Sequence, residues 1–496
     1  MPRPSAPEPV PAQQGTLAQK GTVPLRFMPQ EGAVPFRFSP EPPPVNDKGT
    51  VPFRFSPEPP PRAAGDEREP DVCRPYLADA GGDGEPKGNR PLTSHEPGGR
   101  TGTAPFRPTG EVEQRRSPRG SNPGGTVPAF ANCHSHAFHR ALRGRFSGGA
   151  DFWTWRDGMY AVAGVLDPDL YHRLARATYA EMRLAGYASV GEFHYVHHDP
   201  DGRPYAEPNV VAEGLVEAAR SVGLRICLLE AHYARAGFDG EPLHPVQRRF
   251  VDPLQRWQQR VAELAARHAG DDRVVIGAAI HSVRAVPEDD LAAVAATLPD
   301  APLHVHVSEQ PAENAACLAA TGRTPVRLLA DAGVWGPRTT AVHATHLDAE
   351  DLAVLGRAGG FACFCPTTEA ELADGIGPSV ALREAGVRIT LGSDSNTVID
   401  GFAEARGLAM HERLRSGRRD GWDAAALWRA AAGDGHASLG FIVSDRLGLA
   451  ESVQTAGGSE PLWTAGVADV LPPPDLDPGE VAAELSAVVD EVWSRL

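Results

Sequence analysis

Thr126-Val-Pro-Ala-Phe130-Ala-Asn132-Cys-His134-Ser-His136 reads as a buried strand, Thr126–Cys133, that runs into two histidines. Residues i and i+2 of an extended chain point to the same side, so both imidazoles can reach one point. Paired histidines alone are weak evidence for a metal. The texture that follows decides the fold.

Downstream, apolar runs alternate with amphipathic ones. Strands are expected at Ala188–His194, Leu224–His232, Arg273–His281, Pro302–Glu309, Thr339–His343, Gly360–Cys365 and Val387–Asp394. Helices are expected at Asp167–Ala185, Glu207–Val222, Pro253–Ala269, Glu288–Leu298, Ala349–Ala358 and Gly401–Arg415. The strand segments are Val, Ile, Leu and Ala without polar alternation, which marks strands covered on both faces, as in a parallel sheet. Eight strand–helix units between residue 125 and about 440 fit an α/β fold of the (β/α)8 barrel type. A doubly wound dinucleotide fold would place G-x-G-x-x-G after the first strand, and none is there.

The flanks differ. Of 47 prolines, 27 lie in residues 1–130, which hold no Ile and no Trp. An imperfect repeat, Gly49-Thr-Val-Pro-Phe-Arg-Phe55 among its copies, recurs there. Proline at this density blocks helix and ladder bonding, so residues 1–124 are expected to be a disordered, low-complexity region. Residues 441–496 read as a C-terminal extension. Its last helix starts at Asp477-Pro-Gly-Glu480, an N-cap followed by Pro and Glu, with Val481, Leu485, Val488, Val492 and Leu496 on one face.

The net charge of −16 disfavours a nucleic-acid binder. No run of transmembrane length or targeting segment is read, and the six cysteines are scattered. The expectation is a cytoplasmic protein with free thiols, with no nucleic-acid or membrane partner, acting as a homodimer on a small molecule.

The ionisable residues fall at strand ends: His134 and His136, Glu192 and His194, His281, His306 and Glu309, His343, and Asp394. In a barrel these ends converge on one rim, where such folds keep their chemistry. Several imidazoles with a carboxylate and room for water suit one catalytic divalent ion, and Zn2+ is the ion expected. Asp394 and Glu309 are placed for proton transfer to and from the reacting groups.

Several blocks together resemble the amidohydrolase superfamily, mononuclear deaminase branch, and within it are similar to the formimidoylglutamate deiminases. They are Asn132-Cys-His-Ser-His-Ala-Phe-His-Arg-Ala141, Phe152-Trp-Thr-Trp-Arg156, Glu192-Phe-His-Tyr-Val-His-His-Asp-Pro-Asp-Gly202, His281-Ser-Val-Arg284, His306-Val-Ser-Glu309, Val342-His-Ala-Thr-His346, Cys365-Pro-Thr-Thr-Glu-Ala370 and Gly392-Ser-Asp-Ser395. The resemblance implies metal ligands His134, His136, His306 and Asp394. It implies Glu309 as the proton-transfer carboxylate and His343 as an orienting group. Substrate contacts would come from Arg156, Tyr195, His281 and Arg284, with His139 where the family pattern has Gln. The implied reaction converts N-formimidoyl-L-glutamate and water to N-formyl-L-glutamate and ammonia, a step of histidine degradation. The alternatives are a guanine-type deaminase acting on a ring amine or another amidine, and a non-catalytic barrel. The family also flanks its barrel with a small β-domain, of which residues 441–496 would be a remnant. No Gly-x-x-Ala-Asp-Leu-Val strand is read after Gly440.

Overall fold

In the computed structural model, the residues described are 125–145, 152–441, 452–455 and 461–496. The expected disorder of residues 1–124 lies outside them, as does part of the C-terminal extension, 442–451 and 456–460.

Eight parallel strands form one sheet in sequential order: β2 (Phe130–Ser135), β3 (Tyr187–His194), β4 (Arg225–His232), β5 (Val274–Ile280), β6 (Leu303–Val307), β7 (Thr339–His343), β8 (Phe361–Phe364) and β9 (Arg388–Leu391). Each matches an expected strand to within a few residues. Every residue of β2, β3, β4, β6, β7 and β8 is buried, which is why none of these strands shows polar alternation. Helices such as Pro168–Leu184, Val210–Ser221 and Leu254–Arg267 cover the outer face. The outer core includes Leu170, Leu174, Leu215, Val216, Trp257 and Leu264. The sequence reading missed the helices Phe152–Val165 and Pro311–Thr321; the second buries only Cys317, which leaves it little apolar periodicity.

The first expected strand is in fact two. Pro128 ends β1 (Gly125–Pro128), and β2 begins at Phe130. β1 leaves the barrel and pairs antiparallel with β10 (Ser452–Thr455), and Thr455 also bridges Val470. The segment Gly466-Val-Ala-Asp-Val-Leu471 thus supplies an accessory strand partner that the sequence reading did not find. It was hard to see because a tight turn, Val467–Asp469, takes up half of it.

The last helix, Pro478–Ser494, starts as expected, with Asp477 accepting from the N–H groups of Gly479 and Glu480 at 2.8 and 2.9 Å. Val481, Val488 and Val492 are buried, whereas Leu496 is 49% exposed and does not belong to the apolar face. The helix lies on Pro168–Leu184, with ion pairs Arg173–Glu491 (2.8 Å) and Arg176–Glu484.

The barrel closes between β9 and β2. A parallel bridge joins Ser135 to Asp394. Asp394 N–H donates to His134 O at 2.9 Å and His136 N–H to Asp394 O at 3.0 Å. Gly392 is needed at this seam, because a Cβ there would stand 2.8 Å from the backbone and Cβ of His134. Side chains latch it: Asn132 donates to Ser393 Oγ (2.7 Å) and accepts from Ser393 N–H (2.9 Å). Asn396 donates to Ser135 Oγ (3.1 Å) and to His136 O (3.0 Å).

Candidate active site

The closing seam brings together the residues expected at the metal. His134 Nε2 and His136 Nε2 each lie 3.4 Å from Asp394 Oδ1, and His134 Nε2 lies 3.0 Å from His306 Nε2. The ligand atoms of His134, His136 and His306 are all within 4.8 Å of one another. All four side chains are buried. Phe193 packs against them, with its ring 4.4 Å from that of His306 and 5.3 Å from that of His134.

The second nitrogens fix the tautomers. His136 Nδ1 is 2.9 Å from Phe193 O, and His306 Nδ1 is 2.8 Å from His281 O. A carbonyl can only accept, so each Nδ1 carries the proton and each Nε2 is a bare lone pair. Burial, before all else, holds both imidazoles well below their usual pKa, so they are neutral. Two lone pairs and a carboxylate oxygen then face one point. Either a proton on His134 Nε2 or a cation relieves the repulsion, and three nitrogens with one oxygen fit a divalent ion of the zinc type. Burial would push Asp394 up, but the hydrogen bond and charge of His134, with His343 behind it, hold it below its usual range.

His343 ends β7 beside this cluster with φ +68°, and Asp394 has φ +45°. Left-handed backbone at such residues costs of order 1–3 kcal/mol and gathers at functional sites. His343 Nε2 is 3.9 Å from Glu309 Oε1 and its Nδ1 is 3.4 Å from Glu369 Oε1. Burial would lower His343, but Glu309, Glu369 and Asp394 raise it well above its ordinary value. Burial raises Glu309, against the pull of His343 and Arg284. Glu309 is fixed by its own N–H, which donates to Glu313 Oε2 at 3.1 Å. Glu369 and Glu313 were not singled out from sequence. Glu369 stands inside the quoted block Cys365–Ala370, and its carboxylate also accepts from Cys365 N–H at 2.8 Å.

A cavity of about 650 Å³ opens over the cluster. His139, Arg156, Tyr195, His281, Arg284 and Glu309 all line it. Arg156 lies over the Tyr160 ring at 5.5 Å. The turn bearing Arg284 is clamped by Arg235, whose guanidinium donates to the carbonyls of Val283 (3.0 Å), Arg284 (3.1 Å) and Val286 (3.3 Å). His139 is held neutral, its pKa pushed down to about 3 mainly by burial.

Two rim residues face elsewhere. Glu192 and His194 share a side of β3, but it is the outer one, and Phe193 between them points inward. Glu192 accepts from Ser135 Oγ (2.9 Å) and Ala137 N–H (2.7 Å), and burial pushes its pKa up to about 8. His194 joins His197 and Glu230 in a second buried grouping. There His197 Nδ1 is 3.6 Å and Arg260 Nη1 3.2 Å from Glu230 Oε2, and Arg260 Nε donates to Asp252 at 3.0 Å.

The free cysteines among the described residues, Cys133, Cys227, Cys317, Cys363 and Cys365, are all buried. No helix among those residues is long and apolar enough to cross a membrane.

Comparison with known proteins agrees with this geometry. The formimidoylglutamate deiminase of Pseudomonas aeruginosa is 39% identical over 304 residues, 60% of this chain and 66% of that protein. The 8-oxoguanine deaminase of the same organism is 30% identical over 300 residues, 59% of this chain and 65% of that protein. The chain therefore spans just under two thirds of these relatives' length. The crystal structure of an amidohydrolase from Brucella melitensis superposes with a TM-score of 0.68 at 31% identity, covering 74% of this chain and 90% of that one. The model of the amidohydrolase family matches residues 126–449, and the chain belongs to that family.

Proposed function

We propose that this protein is a metal-dependent hydrolase that deaminates an amidine, converting N-formimidoyl-L-glutamate and water to N-formyl-L-glutamate and ammonia. The observation that carries the reading is one cavity holding both halves of the chemistry. The donor cluster and Glu309 lie at its floor, and two arginines, Arg156 and Arg284, line the same space. A guanidinium offers a planar fork to a carboxylate, and the substrate has two carboxylates. The relatedness to a formimidoylglutamate deiminase supports the same substrate.

His134, His136, His306 and Asp394 would hold the ion, with Zn2+ the best match to three nitrogens and one oxygen. When bound, such an ion acts as a Lewis acid and brings the pKa of water toward about 7. Asp394 accepts the water proton as oxygen adds to the amidine carbon. Glu309 pairs with the cationic amidine, then takes the proton of the newly added hydroxyl and passes it to the departing nitrogen. The C–N bond then breaks, ammonia leaves and the carbon becomes a formyl carbonyl. His343, braced by Glu369, orients water and substrate. Tyr195 and His281 line the side of the cavity, and Phe193 keeps bulk water from the donors.

A guanine-type deaminase is the second reading, favoured by the 8-oxoguanine deaminase relative. A neutral base gives two arginines nothing to pair with. Ammonia release from N-formimidoyl-L-glutamate and from 8-oxoguanine, on protein of measured metal content, separates the two. Turnover of the amidine is expected. Full metal occupancy with no ammonia from the amidine would overturn the assignment.

A further inference from the structure

His139 follows His136 by one turn of the short helix Ala137–Leu142 and is 3% exposed. Its ring lies 4.5 Å from that of His136. A ring nitrogen of His139 comes within 4.8 Å of the ligand atoms of both His136 and Asp394. Its Nε2 is 3.1 Å from the Tyr195 hydroxyl, and that hydroxyl donates to Met159 Sδ at 3.7 Å. With its proton on Nε2, His139 donates to the phenol oxygen and keeps Nδ1 for a ligand bond. Nδ1 is buried and has no hydrogen-bond partner.

A buried acceptor without a partner is costly. Solvent does not reach this atom, whereas a bare metal ion is smaller than a water molecule. A separate ion held by His136, His139 and Asp394 is excluded by bond counting. His136 has only Nε2 to give, because its Nδ1 is bonded to Phe193 O. An ion bound by His136 Nε2 and Asp394 is therefore the one within reach of His139.

We propose that His139 is a fourth imidazole donor to the divalent ion held by His134, His136, His306 and Asp394. The inference rests on the metal centre proposed above. It makes the centre richer in nitrogen than a glutamine at this position would allow, since an amide is a poor donor beside an imidazole. Such a set favours ions that accept five or six ligands, Co2+ and Ni2+ among them, over one confined to four.

The test uses full-length protein stripped with a chelator and reloaded with Co2+. X-ray absorption of the wild type should count four imidazoles; a count of three overturns the proposal without any variant. In His139→Gln the visible Co2+ bands should intensify as the coordination number falls. Chelator competition should show affinity weaker by at least about tenfold, the scale on which even outer-sphere partners of a metal act. Superimposable spectra and equal affinities would reject it. His306→Asn, run in parallel, distinguishes the failures. If that variant keeps full metal, the centre itself is misplaced and this inference falls with it. If it loses the ion while His139→Gln matches wild type, only the role of His139 is wrong.

Discussion

Two histidine–carboxylate clusters lie on opposite faces of the same barrel wall. The inner one gathers His134, His136, His306 and Asp394, and the outer one gathers His194, His197 and Glu230. Both are buried and both use residues at strand ends. They differ in where the positive charge comes from. In the outer cluster Arg260 is itself buried and reaches Glu230 and Asp252 at 3.2 and 3.0 Å. The protein has supplied the cation, and a divalent ion beside a guanidinium would be repelled. Among the described residues, the ion pairs of Asp394 run only to His134 and His136. Their neighbour His306, like His136, gives its Nδ1 proton to a backbone carbonyl. His343 stands beside Asp394 but is shared with two further carboxylates, Glu309 and Glu369, so the inner cluster keeps an excess of donors over positive charge, which suits a cation from outside. Residue type marks a candidate metal site; the charge balance around it decides.

Removing one inner donor tests this most severely. His306→Asn should lose most bound metal and all turnover, measured by elemental analysis and ammonia release; full occupancy would erase the distinction between the clusters. Arg260→Met attacks the outer cluster. It strands Glu230 and Asp252, and the buried charges should cost about 3–5 kcal/mol in a denaturant titration. The inner ion should stay, and a metal-poor variant would mean that the clusters are coupled. Glu309→Gln belongs to the inner site without being a donor. It should keep the ion and lose at least ~10²-fold in rate, the scale of general acid–base catalysis. Loss of metal in step with rate would make Glu309 a ligand.

The barrel was legible because strands covered on both faces carry unbroken Val, Ile, Leu and Ala runs. The donors were legible because His134, His136, His306 and Asp394 fall at the ends of such runs. What could not be read was which face a strand-end side chain takes. Glu192 and His194 share a side of β3, as the two-residue period requires, but with both faces buried no polar alternation tells inner from outer. Glu369, Glu313 and Asn396 act from turns and short helices after the strands, where no periodicity points at the site. The accessory pairing of β1 with β10 was obscured because Pro128 splits one apolar run into two strands with different partners.

The smallest expected effect contrasts two arginines. Arg260 is spent on the fold, and Arg284 lines the cavity. Its main chain is already held by Arg235, so its guanidinium is not needed to shape the turn. Arg284→Met should therefore leave the unfolding midpoint unchanged, unlike Arg260→Met, and should keep the metal as that variant does. It should weaken use of the dicarboxylate by roughly 1.5–3 kcal/mol, the loss of one charged hydrogen bond. Arg156→Met should act alike from the opposite element, the helix Phe152–Val165. The measurement is kcat/KM for N-formimidoyl-L-glutamate beside an amidine that lacks one carboxylate. A loss confined to the dicarboxylate assigns the arginines to the ligand. Equal losses on both amidines would mean that Arg284 supports the site rather than the substrate, and unchanged efficiency in both variants would move the carboxylate pocket elsewhere and favour the ring-amine reading.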